Sequence, residues 1–166
     1  MPFHLSHPDE RDAIISNGIE ADAEGYIDVF TDNMVANTIA RDQLFLDRYD
    51  VFWITPTGIT AELEPNLECG ITSPYQFRIR QSRVAEQFLR LMGEHEVVFD
   101  RPTAWDYFYW KRVGFLNEDV NDQFRILRDF RANRISAEQA NAHFAEITKR
   151  VNARLQVRRR VKLSRK

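Results

Sequence analysis

The spacing of apolar and polar residues along the first hundred positions predicts short strands that alternate with short helices. Segments in which apolar and polar residues alternate predict strands, and the apolar, aromatic-rich segment at residues 50–55 predicts a buried one. The predicted strands are residues 3–6, 26–32, 50–55, 59–63, 75–80 and 96–99. Helical spacing and capping residues predict helices at residues 8–18, 34–46 and 82–92.

The pattern after Pro102 is helical. Asn117 is a candidate cap for a helix that runs to Ala132, and Ser136 with Gln139 forms the capping box of a second helix. The short link between them predicts an antiparallel helical hairpin. The sequence therefore predicts an α+β fold in three parts: a core at residues 1–102, an aromatic seam and helical hairpin packed on that core at residues 103–153, and a basic tail at residues 154–166.

Composition adds limits on the class of protein. With 166 residues and 43% apolar content, the chain is long enough to bury its own core. The single cysteine, Cys69, excludes an intramolecular disulfide, and no apolar run approaches the ~20 residues of a membrane-spanning helix. The first ten residues lack the features of a signal peptide. We therefore expect a cytoplasmic protein without a membrane partner, and the sequence leaves its oligomeric state open.

Charge is distributed unevenly along the chain. Nine of the 23 basic residues lie between Lys149 and Lys166, where there is no acid, and the other 14 share the rest of the chain with 25 acidic residues. A cationic tail on an acidic body is typical of segments that bind phosphate backbones through counterion release. A tail that contacts its own acidic body is the alternative. The candidate nucleic-acid-binding residues are Arg158, Arg159, Arg160 and Lys162.

Three short motifs occur in order on predicted strands. FHLS lies on the first strand, VFTD precedes a helix that contains alanines, and EVVF opens a late strand with a glutamate. Glu94 and Glu96 flank a histidine in front of that late strand, where an ordinary polar turn is the alternative interpretation. A metal site is poorly supported, because His4 and His7 are not followed by cysteines or histidines at ligand spacing.

The order and spacing of these motifs resemble the ADP-ribosyltransferase superfamily, whose split β-sheet binds NAD in the cleft between its halves. The resemblance covers residues 3–100. FHLS is similar to the family's His-x-Ser/Thr element, VFTD to its second-strand motif, and EVVF to the strand with the catalytic glutamate. The opening segment is also similar, more weakly, to bacterial toxins that ADP-ribosylate DNA. RNA 2′-phosphotransferases share the fold, but their basic catalytic residues are not recognisable in this chain.

The resemblance implies a reaction and a set of site residues. Cleavage of the nicotinamide–ribose bond of NAD develops positive charge on the ribose, and a nearby carboxylate stabilises that charge. The implied catalytic residues are Glu96, in this role, and Glu94, which orients or deprotonates the acceptor. His4 and Ser6 are expected at the adenosine ribose, and an aromatic residue at the nicotinamide. The implied NAD-binding residues are His4, Leu5, Ser6, Tyr26, Phe30 and Thr31.

Two functions from different classes follow. The first is NAD-dependent transfer of ADP-ribose, with NAD as a substrate and a nucleic acid or a protein as the acceptor. The second is a non-catalytic module that binds nucleic acid or protein through its basic tail. His4 is equally compatible with a structural role. The aromatic residues of segment 105–110 suit a base-stacking platform or, preferably, a seam between hairpin and sheet.

Overall fold

An antiparallel sheet of six strands is the largest element of the N-terminal part of the chain. The computed structural model describes residues 1–164, without the side chains of residues 71, 73, 163 and 164. The strands are β1 (Phe3–Ser6), β2 (Ile19–Glu20), β3 (Ile27–Phe30), β4 (Arg48–Ile54), β5 (Leu63–Pro65), β6 (Gln76–Ile79), β7 (Arg83–Val84) and β8 (Leu89–Glu96). The large sheet has the order β5-β6-β3-β1-β4-β8, and β2 pairs with β7.

The helices complete an α+β fold, so the predicted class is confirmed. In the described part of the chain they are α1 (Arg11–Asn17), α2 (Ala36–Asp42), α3 (Ala104–Arg112), α4 (Asn117–Arg131) and α5 (Ala137–Ser164). The side chain of Asp32 accepts a hydrogen bond from the amide of Met34 and caps the turn that leads into α2. α2 is shorter than its predicted helix, and β5 lies later than the strand predicted near residue 60.

The two halves of the large sheet are joined narrowly. β1 pairs with β4 over four residues, and β3 pairs with β6 over four residues. Between the halves, the described ladder of β1 and β3 has one pair, in which Phe3 lies opposite Phe30 and their rings stack with centroids 5.5 Å apart. Beyond that pair, the described ladders join β1 only to β4 and β3 only to β6. The sheet therefore opens between residues 4–6 and residues 27–29.

An apolar core holds these elements together. The Ile14 side chain of α1 packs against a cluster of buried residues from both half-sheets. Its other members are Ile19, Ile27, Val29, Phe52, Ile54, Ile79 and Val84. A second anchor is ionic, because Arg11 donates two hydrogen bonds of 2.7 Å to Asp50, a fully buried residue of β4. α1 is therefore fixed over one side of the opening.

The segment between residues 82 and 99 contradicts its predicted structure. Where the sequence predicts a helix followed by a strand, the structure has β7, a single turn and the long strand β8, which pairs with β4. The prediction is wrong because Leu89 and Leu91 alternate with exposed neighbours, a pattern that suits a strand once β4 supplies the hydrogen bonds. Glu96 consequently ends a strand and does not open one.

The residues from 98 onward form a second compact unit, which is helical. The predicted hairpin of α4 and α5 is confirmed, and so is the capping box: Ser136 and Gln139 bond each other's amides at 2.8 and 3.1 Å. Tyr107 and Trp110 of α3 pack against the apolar core of this hairpin. These two aromatic residues thus stabilise the helical unit itself, and packing of the hairpin on the sheet stays a prediction.

Asp119 ties the two helices of the hairpin together. Its side chain is fully buried and accepts hydrogen bonds from the Leu116 amide at 2.8 Å, from Arg150 at 2.9 Å and from Arg154. The predicted boundary at residue 154 therefore falls inside α5, and the chain divides into its two units between Val97 and Val98.

No helix within residues 1–164 has the length and apolar character needed to cross a membrane.

Candidate functional site

His4 bridges the opening between β1 and β3. Its Nδ1 atom lies 2.9 Å from the backbone carbonyl oxygen of Asp28. A carbonyl oxygen only accepts hydrogen bonds, so Nδ1 carries the hydrogen and Nε2 of the neutral ring is left with a lone pair. The side chain therefore closes the gap that the ladder leaves open, and it keeps one acceptor atom for a ligand hydroxyl.

Two adjoining cavities meet at this opening. Cavity 1, of about 750 Å³, is lined by residues of α2, β3, β6 and the loop before β6. Cavity 2, of about 660 Å³, is lined by residues of α1, β1, β2 and β3. Four residues line both cavities: His4, Leu5, Asp28 and Leu44. Each volume lies within the ~300–1,000 Å³ that is usual for small-molecule sites.

Most of the residues predicted to bind NAD lie around these cavities. His4 and Leu5 line both, Ser6 and Tyr26 line cavity 2, and Phe30 lines cavity 1. Thr31 follows Phe30 but is not among the lining residues, and its amide donates a hydrogen bond of 2.9 Å to the carbonyl oxygen of Tyr75. The structure thus brings together five of the six predicted residues.

Each cavity contains a buried hydroxyl group without a hydrogen-bond partner among the described residues. Ser6, which is 3% exposed, contributes one to cavity 2, and Thr38, which is 1% exposed, contributes one to cavity 1. A buried polar group left unpaired costs about 1–3 kcal/mol, so such groups are rare in native proteins. The two hydroxyls are therefore candidate contacts for a ligand with hydrogen-bonding groups.

Three carboxylates line cavity 1, and they differ in their partners. Asp42 accepts two hydrogen bonds from Arg41, at 2.7 and 2.9 Å. Asp28 accepts hydrogen bonds from Arg78 at 3.3 Å and from Asn66 at 3.4 Å. Glu68 has no ion pair or side-chain hydrogen bond within the described residues, and it is exposed. Glu68 is therefore the carboxylate of cavity 1 that is available to a developing positive charge.

Amide side chains form a hydrogen-bonded cluster in the lining of cavity 1. Gln43 and Gln76 donate to each other's side-chain oxygens at 2.9 and 3.0 Å, and Gln43 also donates to the hydroxyl of Thr72 at 2.7 Å. Cys69 lines the same cavity, and burial, together with the charge of Asp28, raises the pKa of its thiol. The thiol consequently stays protonated, which agrees with an unreactive cysteine.

Two arginines lie beside the cavities over one aromatic ring. The guanidinium carbons of Arg78 and Arg80 are 5.8 and 5.2 Å from the ring centroid of Tyr26. Arg78 lines cavity 1, and Tyr26 lines cavity 2. The pair of guanidinium groups is therefore close to the place where the cavities adjoin, within reach of a ligand's anionic group.

Glu94 and Glu96, the predicted catalytic residues, line neither cavity. Glu94 accepts hydrogen bonds from Arg11 at 2.5 Å and from Arg48 at 3.0 Å. The bond from Arg11 lowers the pKa of the Glu94 carboxyl, which makes it a poor base. Glu96 is exposed at the end of β8, opposite Arg48.

The separation of His4 and Glu96 follows from the ladder. His4 lies opposite Phe52 on β4, and Glu96 lies opposite Arg48 on the same strand. At about 3.3 Å per residue along a strand and about 4.8 Å between strands, their Cα atoms are roughly 16 Å apart. The structure does not bring these two residues together, and a catalytic role for Glu96 remains a prediction from the sequence alone.

The half-buried side chain of His4 predicts a pH-dependent stability. Burial lowers the pKa of His4 from its usual 6.5, against the opposing effects of the Asp28 carbonyl and carboxylate. The unfolded chain therefore binds this proton more readily, so the contribution to stability is complete above pH 6.5 and is lost as pH falls through the folded pKa. We expect His4→Gln, which keeps a donor for Asp28 but does not titrate, to flatten this dependence. Urea unfolding at a series of pH values compares the two slopes, and equal slopes would assign the titration to another group.

Comparisons of this chain with protein-family models, with curated proteins and with solved structures found no match. Among residues 1–164, no three metal-ligating side chains are grouped so that they could hold a metal ion. Any function must therefore be inferred from the residues around the two cavities.

Proposed function

We propose that this chain is an NAD-dependent ADP-ribosyltransferase, which binds NAD across the two cavities and transfers ADP-ribose to a macromolecular acceptor. The observation that carries the proposal is the pair of cavities that meet at His4, where the sheet opens. The opening supports the likeness to an ADP-ribosyltransferase-like split sheet that FHLS and VFTD indicate. The free acceptor atom of His4 supports a contact with a ribose hydroxyl.

The chemistry of the cavities favours one orientation of NAD. The adenosine ribose lies in cavity 2, where His4 Nε2 and the unpaired hydroxyl of Ser6 bind its hydroxyl groups. The nicotinamide lies in cavity 1 beside Phe30, where the hydroxyl of Thr38 bonds the carboxamide. The ribose attached to the nicotinamide becomes cationic during the reaction, so this end of NAD suits the cavity that contains the unpaired carboxylate Glu68.

The reaction can be written with these residues. The bond between the nicotinamide nitrogen and ribose C1′ breaks, and its electron pair neutralises the nicotinamide ring. Positive charge develops on the ribose, and Glu68 stabilises it electrostatically. A nucleophile of the acceptor forms the new bond to C1′ and loses its proton to solvent. Glu68 thus takes the role that the sequence resemblance assigns to Glu96.

The cavity lining also contains a positively charged group that suits the phosphates of NAD. Of the described residues that line the cavities, Arg78 is the only lysine or arginine. It suits the pyrophosphate of NAD, particularly with Arg80 nearby on the ring of Tyr26. An RNA 2′-phosphotransferase, by contrast, has several basic catalytic residues at its site. The acidic lining therefore favours the transferase of ADP-ribose over the phosphotransferase alternative.

Thr38→Val is expected to weaken NAD binding and to stabilise the free protein. Valine has the same shape but removes the unpaired hydroxyl, so the free energy of unfolding rises by about 1 kcal/mol while the affinity for NAD falls about three- to tenfold. Calorimetric titration and urea unfolding measure the two effects. Ser6→Ala serves as the matched variant in cavity 2. An unchanged affinity in both variants would contradict the assignment of the hydroxyls.

The proposal is tested by incubating the purified protein with NAD that carries a label on its adenylate half. Single-stranded DNA, RNA and lysate proteins are offered as acceptors. We expect release of nicotinamide together with transfer of label to one of them, and we expect NAD to bind in calorimetric titration. Absence of both binding and nicotinamide release, with every acceptor, would refute the proposal.

The C-terminal end of α5 favours a second candidate function, the binding of nucleic acid. The core-facing stripe of this helix is apolar in the hairpin and then becomes basic, since Leu155 is followed at helical spacing by Arg158 and Lys162. Within residues 1–164, the four candidate residues at this end form no ion pairs, whereas Arg150 and Arg154 are paired with Asp119. The last two basic residues of the tail lie outside the described residues.

Neutralising this end of α5 tests the second candidate. We expect the combined substitution of the four candidate residues by glutamine to lower the affinity for nucleic acid by about one to two orders of magnitude at low salt and to flatten the salt dependence. The variant changes Arg158, Arg159, Arg160 and Lys162. A control with the same loss of charge changes the exposed residues Arg90, Arg101, Lys111 and Arg112. Equal losses in both variants would mean that overall charge, and not this helix end, determines binding.

A further inference from the structure

Phe45 combines a strained backbone with an exposed aromatic ring. Its φ of 52° lies in the left-handed region, which glycine adopts readily and a bulky residue does not. The turn after α2 imposes this conformation, because the amides of Leu44 and Leu46 bond back to the carbonyl oxygens of Ile39 and Ala40. Glycine is the usual residue at such a helix end. Phe45 is 82% exposed, so burial does not compensate for the strain.

The neighbours of Phe45 belong to the candidate site. Leu44 lines both cavities, and Leu46 lines cavity 2. Phe45 therefore lies in the loop that forms their shared rim. Strained residues persist where the surrounding structure holds them in place for a function, and an exposed ring that adds nothing to the core is available to a ligand.

We propose that Phe45 stacks on an unpaired nucleobase of the acceptor and presents it to cavity 1. The inference rests on the proposed function, because it identifies the acceptor as single-stranded nucleic acid. Stacking of a base on an aromatic side chain is independent of sequence, since every base has a π-face. A base is also uncharged, so it avoids the repulsion that the unpaired carboxylate Glu68 of cavity 1 would exert on a phosphate group in its place.

The nucleic-acid assignment has support in the charges of the chain. The basic end of α5 favours a partner with phosphate groups, and the uncharged bases of such a partner suit a cavity that contains the unpaired carboxylate Glu68. A protein acceptor would instead bind best through positively charged side chains, because cavity 1 contains the unpaired carboxylate Glu68. A comparison of an oligonucleotide with a basic peptide therefore separates the two acceptor classes.

The test uses a single-stranded DNA heptamer that contains 2-aminopurine, whose fluorescence falls on stacking. Phe45→Gly is expected to raise the melting temperature of the protein by about 2–4 °C, because it relieves the strained conformation. It is expected to lower affinity for the heptamer about five- to hundredfold and to abolish the quenching. Phe45→Trp keeps the ring and is expected to bind within about threefold of the wild type. Phe130→Ala removes an aromatic residue that is 42% exposed on α4 and serves as the control.

Two results overturn the proposal: undiminished heptamer binding by Phe45→Gly, or a wild-type protein that binds a lysine-rich peptide in preference to the heptamer. The NAD assays are read separately. Stacking on Phe45 without nicotinamide release supports the contact with a nucleobase but contradicts the transferase, and with it the identification of the nucleic acid as an acceptor. Nicotinamide release that is unchanged in Phe45→Gly, together with unchanged heptamer binding, supports the transferase and contradicts the role of Phe45.

Discussion

Glu68→Gln is expected to slow ADP-ribose transfer about 10²- to 10³-fold and to leave the affinity for NAD almost unchanged. The substitution keeps the size of the side chain and removes the charge that stabilises the cationic ribose. The effect belongs to the transition state because the ground-state ribose is neutral, so kcat falls while KM is nearly constant. Nicotinamide release, followed by chromatography under single-turnover conditions, measures the chemical step.

Glu96→Gln is the matched control for this prediction. Glu96 lies roughly 16 Å from His4 by the ladder spacing and lines neither cavity, so its loss is expected to change the rate less than about threefold. Glu68 and Glu96 are both exposed glutamates, which makes the two variants comparable. A severe loss in Glu96→Gln with normal activity in Glu68→Gln would restore the assignment made from the sequence and contradict the one made from the cavities.

Asp119→Asn is expected to destabilise the helical unit by about 2–3 kcal/mol. The substitution leaves Arg150 and Arg154 without the buried charge that holds α4 to α5. The expected loss is below the about 3–5 kcal/mol of a fully buried ion pair, since both arginines reach solvent. Circular dichroism during urea unfolding, which follows the helices, measures it. Asp122→Asn, which removes a more exposed partner of Arg150, is expected to have the smaller effect.

The same carboxylate determines how the helical unit responds to acid. Burial opposes ionisation of Asp119, but the hydrogen bonds from Leu116, Arg154 and Arg150 together lower its pKa from the usual 3.8. A lowered folded pKa means that this stabilisation is present above pH 3.8 and is lost as pH falls through the folded value. Asp119→Asn should therefore remove part of the acid sensitivity. An unaltered acid transition would assign it to other carboxylates.

Local patterns were sufficient to predict the α+β class, four of the eight strands and the helical hairpin. β1, β3, β4 and β6 follow from alternating apolar residues, and the helical hairpin follows from caps and spacing that act within one turn. β8 was missed because Val84, Phe88 and Leu91 also fit a helical spacing. Its strand form depends on β4, a partner nearly forty residues earlier in the chain, which no local pattern records. The narrow join between β1 and β3 depends on ladder pairs, which no local pattern records, and its equivalence to the split sheet of the resembled family stays a prediction.

The site was predictable where it coincides with a motif. His4, Ser6 and Phe30 lie on the first two motif strands, and the structure gathers them at the cavities. Thr38 and Glu68 carried no signal, since a threonine in a helix and a glutamate in a loop are ordinary. Thr38 is relevant because its hydroxyl is buried without a hydrogen-bond partner. Glu68 is relevant because its carboxylate lines cavity 1 without an ion pair.

The central claim is that one dinucleotide spans both cavities through His4. A crystal structure of the protein with a hydrolysis-resistant NAD analogue tests it most directly. The account predicts the adenosine ribose within hydrogen-bond distance of His4 Nε2 and Ser6 Oγ, and the carboxamide at the hydroxyl of Thr38. An analogue bound beside Glu96, or bound with the cavities empty, would contradict it.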